Sequence, residues 1–95
     1  MTHILDTYEV KQGFNSARDC NGNINYPQPI INSNLKLLYK ELQKAEVNPI
    51  VIACYVNDLD SQLTTDYFWW RFSSMCNALN KAYDLGLTLN DRPSA

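Results

Sequence analysis

The sequence predicts an α+β fold: a small, mostly antiparallel sheet of three to four strands with two helices packed on it. Three observations predict it. Ile50-Val51-Ile52-Ala53-Cys54-Tyr55-Val56 is the longest apolar run and is rich in β-branched residues, which suit a strand. Residues 33–47 and 65–85 instead repeat their apolar side chains every three or four positions, the period of one helix face. Between them and the N-terminus lies a polar, asparagine-rich stretch with turn chemistry.

Taken in order, residues 3–12 alternate imperfectly and contain Tyr8, Thr7 and Val10, so a strand is expected, with a helical turn at Leu5–Glu9 ending at Gly13 as the competitor. Asn21-Gly22 is the strongest turn signal and can close a hairpin between Ala17–Cys20 and Asn23–Tyr26; an irregular surface loop is the alternative. Pro27 and Pro29 hold Gln28 extended, and Ile30 and Ile31 return the chain to the core. The whole of 1–32 is thus an N-terminal strand followed by a loop or hairpin. Helix 33–47 starts with a cap from Asn32 or Ser33 and buries Leu35, Leu38, Leu42 and Ala45. Asn48-Pro49 ends it, because the residue before a proline is pushed out of helical geometry.

Residues 49–56 are then the central strand, apolar on both faces and covered on both sides. Residues 57–64 form an acidic loop. The long helix 65–85 is capped by Thr64 or Thr65, carries Asp66 in its first turn, and turns Phe68, Phe72, Met75, Cys76, Leu79 and Tyr83 inward. Gly86 is placed to end it in a left-handed conformation, and 87–95 add a short strand or tail.

At 95 residues a single domain is expected, and 45% hydrophobic with 19% charged residues describes a globular chain. A net charge of −2 with scattered basic residues argues against binding nucleic acid through a basic surface. The longest apolar run falls far short of the ~20 residues of a membrane helix. No basic segment followed by an apolar one stands at the N-terminus, so no secretory signal is expected. Cys20, Cys54 and Cys76 are odd in number and lack C-x-x-C spacing, which points to reduced thiols and a cytoplasmic protein without disulfide framework or zinc site. Cys54 and Cys76 are expected on core faces and Cys20 at the surface.

Catalytic signals are thin. Asn57, Asp58, Asp60 and Asp66 follow a strand end, and Asp58 and Asp60 can in principle share a hard cation. The spacing fails a calcium loop, which needs Gly at its sixth and an acid at its twelfth position; here those are Leu63 and Trp69. The sole histidine, His3, stands near the N-terminus and would have to be pinned beside Cys20, Cys54 or Cys76 to activate a nucleophile, so cysteine catalysis is not expected. Gly13, Gly22 and Gly86 are isolated, so no phosphate-binding loop exists and no cofactor is expected.

The aromatic cluster is the strongest signal. Tyr67-Phe68-Trp69-Trp70-Arg71-Phe72 steps ~100° per residue around a helix, so six in a row cannot all face inward. Trp, Tyr and Arg are the types enriched at binding hot spots. The expected interface is therefore Tyr67, Trp69, Trp70, Arg71 and Ser74, with Asp58, Asp60 and Asp66 as a secondary acidic patch. On size and the lack of catalytic groups, the expected function is a non-enzymatic module that occupies a surface of a larger protein. Small inhibitors, immunity factors and anti-defence factors of phage or mobile elements are of this kind. The alternatives are a small metal-dependent enzyme built on Asp58, Asp60 and Asp66, and a self-associating structural subunit such as a homodimer.

Overall fold

The computed structural model describes residues 3–62 and 70–89, Arg71 by its backbone alone. Within them every secondary-structure element is a helix. A 3-10 turn, Ile4–Asp6, is followed by α1 (Tyr8–Asn15), α2 (Pro29–Leu42), α3 (Pro49–Gln62) and α4 (Trp70–Ala82). The only strand-like pairing among the described residues is one isolated antiparallel bridge, Arg18 to Ile24. The expected α+β sheet is therefore incorrect, and the physical reasons differ from element to element.

The central strand expected at 49–56 is the first half of α3. Asn48 Oδ1 accepts the Ile50 N–H at 3.0 Å, and the Asn48 carbonyl accepts the Ile52 N–H at 3.1 Å. That is the geometry of an N-cap, and Pro49 takes the first helical position, where its missing N–H costs nothing. The Asn48-Pro49 pair therefore starts a helix; the preceding one, expected to run to 47 and end there, already stops at Leu42. An apolar run leaves the period ambiguous, because every phase of it looks buried. Burial in the fold distinguishes the two: Ile52, Val56 and, beyond the run, Leu59, spaced four and three, are fully buried. Ile50 and Cys54, expected inside with Ile52, are exposed.

The strand expected over 3–12 is also helical. Its buried residues, Val10, Gly13 and Phe14, continue to Ala17 with the spacing of a helix face. The competing helical turn was expected to end at Gly13, whereas Gly13 sits inside α1 against α4. A Cβ at Gly13 would lie 2.8 Å from the Met75 Cβ and 2.8 Å from its Sδ. Glycine is used here for close approach of two helices, not to end one.

Residues 17–25 pair only minimally around a tight turn: Asp19 N–H donates to Asn23 O and Asn25 N–H to Ala17 O, flanking the Arg18–Ile24 bridge, with no extended strands. Gly22 N–H donates to the Asp19 carbonyl, and Asp19 Oδ1 accepts from the Asn21 and Asn23 N–H groups at 2.9 and 3.0 Å. Asp first and Gly fourth is the type I signature. Gly22 has φ +83°, and Asn21 is not left-handed, so the expected type I′ turn does not form. Helix α2 begins at Pro29, four residues before its expected start, with Gln28 extended ahead of it. Asn32 is not the cap; its Oδ1 accepts the Tyr26 N–H at 3.0 Å. Leu35, Leu38 and Leu42 are buried, while Ala45 lies beyond the helix and is exposed.

α1 packs on α4, α2 on α3, and α3 on α4. One continuous core joins all four, with Phe14, Ile31, Leu35, Ile52, Phe72 and Leu79 among its largest members. Phe14 meets Tyr39 and Tyr26 meets Phe72 edge to face, with ring centres 5.0 and 5.2 Å apart. The start of α2 is tied to the end of α3 by Asn34 Nδ2 donating to Gln62 Oε1 at 3.2 Å.

The α2–α3 connection is held by Glu41, which is buried. Its Oε1 accepts from Lys44 Nζ at 2.8 Å and its Oε2 from the Asn48 N–H at 3.3 Å. The Lys44 hydrogen bond is the main reason the Glu41 carboxyl lies below the usual glutamate value of 4.5; burial opposes this and the Asn48 N–H adds to it. The same pair lifts Lys44 above 10.5.

α4 ends in a Schellman motif. Leu85 N–H donates to Asn80 O and Asp84 N–H to Lys81 O. The left-handed residue at that end is Asp84, at φ +50°, not Gly86, which comes two residues later at φ +69°. Beyond it, 87–89 form no strand. The Asn80 amide donates to Leu87 O and accepts from Leu87 N–H, pairing with that backbone as a neighbouring strand would. Residues 65–69 of the expected long helix, and 90–95, lie outside the described residues.

Three outcomes follow from this packing. Gly13→Ala gains helix propensity of about 1 kcal/mol but meets the Met75 Cβ, which no rotamer can move, and overpacking costs about 1–3 kcal/mol. A net loss is expected, read as a lower melting temperature; a rise would refute the close approach. Asp84→Gly relieves a left-handed aspartate and should raise the urea midpoint by an amount worth about 0.5–1 kcal/mol at unchanged m. Because the Glu41 value is lowered on folding, its stabilisation is complete above 4.5 and is lost as pH falls through the lowered value. Lys44 contributes fully below 10.5 and loses its share as pH rises through its raised value. Glu41→Gln should therefore flatten the acid limb of a stability–pH curve, and an unchanged limb would contradict this role.

Candidate interaction surface

With the inward faces of α1 and α4 assigned to the core, two outward stripes remain beside their junction. On α1, Tyr8, Gln12 and Ser16 recur every four residues, with Glu9 beside them. On α4, Trp70 and Ser74 lie one turn apart. The two stripes line a single open groove of about 530 Å³. Close approach at Gly13 and Met75 brings the stripes near enough to share it.

The groove is amphipathic. Tyr8 is 74% exposed and Trp70 57%, two of the large hydrophobic side chains the fold leaves in solvent. Between them stand Glu9, Gln12 and Ser74. The Ser16 hydroxyl is turned back onto its own helix end, donating toward the Gln12 and Gly13 carbonyls at 2.8 and 2.9 Å. Glu9 and Ser74 also border a second groove, toward the Ile4–Asp6 turn, so the surface is continuous along α4.

Of the interface residues expected from sequence, Trp70 and Ser74 are exposed on this surface. Arg71 belongs to α4, while Tyr67 and Trp69 lie outside the described residues. Tyr8 was missed by the sequence reading because it was placed in a strand. Its signal was the spacing 8, 12, 16, complementary to the buried 10, 13, 14, 17.

The expected acidic loop is not a loop up to residue 62. Asp58 and Asp60 lie within α3, two residues and therefore ~200° apart around the helix. Asp58 is exposed, in a groove with Ile30 and Leu37, whereas Asp60 is turned inward at 8% exposure. Two carboxylates on such different sides do not converge on one cation. Asp66 lies outside the described residues. Among the described residues no three His, Cys, Asp or Glu side chains gather as a metal set.

Cys20 and Cys54 are exposed and Cys76 is buried, which corrects the core position expected for Cys54. His3 Nδ1 accepts the Leu5 N–H at 3.1 Å and so caps the 3-10 turn. Among the described residues no helix is long and apolar enough to cross a membrane. No protein-family model matches the chain, and neither a curated protein nor a solved structure matches it.

Proposed function

We propose that this protein is a non-enzymatic binding module that acts by occupying a surface of a larger protein, in the manner of a small inhibitor, immunity or anti-defence factor. The observation that carries this reading is the Tyr8–Trp70 pair, two large exposed rings on neighbouring helices lining one groove. Exposed apolar rings rimmed by polar side chains are a feature of protein-binding sites, because covering them removes apolar area from water. Both rings stand on helices whose opposite faces are buried in the core, so little ordering cost accompanies docking.

The test compares the native chain with Tyr8→Ser, Trp70→Ser and the double variant, as bait in source-cell extract and by sedimentation over a range of concentrations. Because both side chains are exposed, the melting temperature should change little. A specific partner should be retained by the native chain and fall about tenfold or more with Trp70→Ser, the scale of a hot-spot residue. If instead the native chain self-associates and the double variant does not, the partner is a second copy. Identical capture and identical sedimentation for all four proteins would reject this surface.

A further inference from the structure

Sharing no residue with the Tyr8–Trp70 groove, an open groove of about 710 Å³ runs between the turn at residues 19–23 and α2. Its character is cationic: Arg18, Lys36 and Lys40 line it against one carboxylate, Asp19. Asp19 Oδ1 is already engaged by two backbone N–H groups. The chain as a whole carries −2, so this concentration of positive charge is local.

Arg18 is the fixed member. Its guanidinium lies 4.9 Å from the centre of the Tyr39 ring, a cation–π contact. Nη1 donates to Gly22 O at 2.7 Å and Nε to Asn15 Oδ1 at 3.3 Å, leaving its other N–H donors to an external acceptor. Lys36 and Lys40 are exposed on one face of α2, one turn and about 6 Å apart along its axis. Among the described residues neither has a carboxylate partner, in contrast to Lys44, which Glu41 holds.

We infer that this groove binds an acidic, extended peptide segment of a partner protein. Alternate residues of an extended chain stand about 6.6 Å apart, close to the Lys36–Lys40 separation. Carboxylates at alternate positions therefore meet both lysines, and the Arg18 fork offers a charge-assisted, directional contact beside them. Asn23 and Asn25, exposed at the turn edge, supply amide donors and acceptors for the peptide backbone. A nucleic-acid strand fits less well. The Tyr39 ring is occupied by Arg18 and by the edge contact with Phe14, so it offers no platform for bases, and the net negative charge opposes a long polyanion. The contact is independent of the Tyr8–Trp70 surface.

The test is fluorescence anisotropy with a labelled peptide of alternating Glu and Ser, titrated with the full chain at low salt, beside an oligothymidylate of equal charge. Amide shifts in a heteronuclear NMR titration locate the binding. Saturable peptide binding is expected, with shifts confined to residues 18–25 and 36–43. Lys36→Glu/Lys40→Glu should weaken it about tenfold, and Lys36→Gln/Lys40→Gln serves in its place if the reversal disturbs folding. Lys11→Glu, outside the groove, makes the same charge change as either single reversal and should alter Kd about twofold or less. Absence of saturable binding, an equal loss from Lys11→Glu and from Lys36→Glu, or tighter binding of the oligothymidylate would each overturn the inference.

Discussion

The close approach of α1 to α4 at Gly13 and Met75 is the constraint on which the rest of the structure depends. α4 presents Phe72, Met75, Cys76 and Leu79 as a fully buried wall. α1 closes against it on one side and α3 on another, while α2 reaches α4 chiefly through α3. A side chain at position 13 would push α1 outward. It would loosen Phe14 against Tyr39 and with it the edge-to-face contact that ties α1 to α2. The same approach sets Tyr8 and Trp70 on one groove, so the packing that completes the core also builds the exposed aromatic surface.

Asparagine takes up much of the backbone pairing that a sheet would otherwise supply. Asn48 caps α3, Asn32 receives the Tyr26 N–H, and Asn80 pairs with both polar groups of Leu87. Glu41 does the same for the Asn48 N–H across the α2–α3 connection. Short polar side chains that compete with regular backbone bonding are suited to these junctions. Among the described residues no buried side-chain nitrogen or oxygen lacks a partner. Asparagine-rich composition, read in sequence as loop, here helps connect α1 to α2 and α2 to α3 among the described residues.

Legibility in the sequence followed how much of the surrounding pattern was polar. The Leu35–Leu38–Leu42 and Phe72–Met75–Leu79 stripes stand out because polar residues separate them, which leaves one phase of burial. The 50–56 run has no polar residue to set its phase, and its β-branched content favours the wrong answer locally. Burial of Ile52, Val56 and Leu59 between α2 and α4 overrides that preference. The N-terminal segment failed for a different reason. Gly13 is a helix breaker by propensity, and only a neighbouring helix makes its small size an advantage. At the candidate surface, Trp70 could be singled out because a ring sequence cannot all face inward; Tyr8 could not, because its exposure depends on α1 being a helix.

By itself the amino-acid sequence determined the two polar-spaced helical stripes, the turn near Asn21-Gly22 and the aromatic run at 67–72. Each rests on interactions between residues a few positions apart, which spacing records. Tertiary structure alone decided that the chain has no sheet within its described residues, that Gly13 lies inside a helix, and that Asp58 and Asp60 part to different sides of α3. It also decided that Tyr8 and Trp70 line one groove and that Arg18 lines another with Lys36 and Lys40. Those outcomes depend on which surfaces distant segments bury against one another, a free energy that no local stretch of sequence contains.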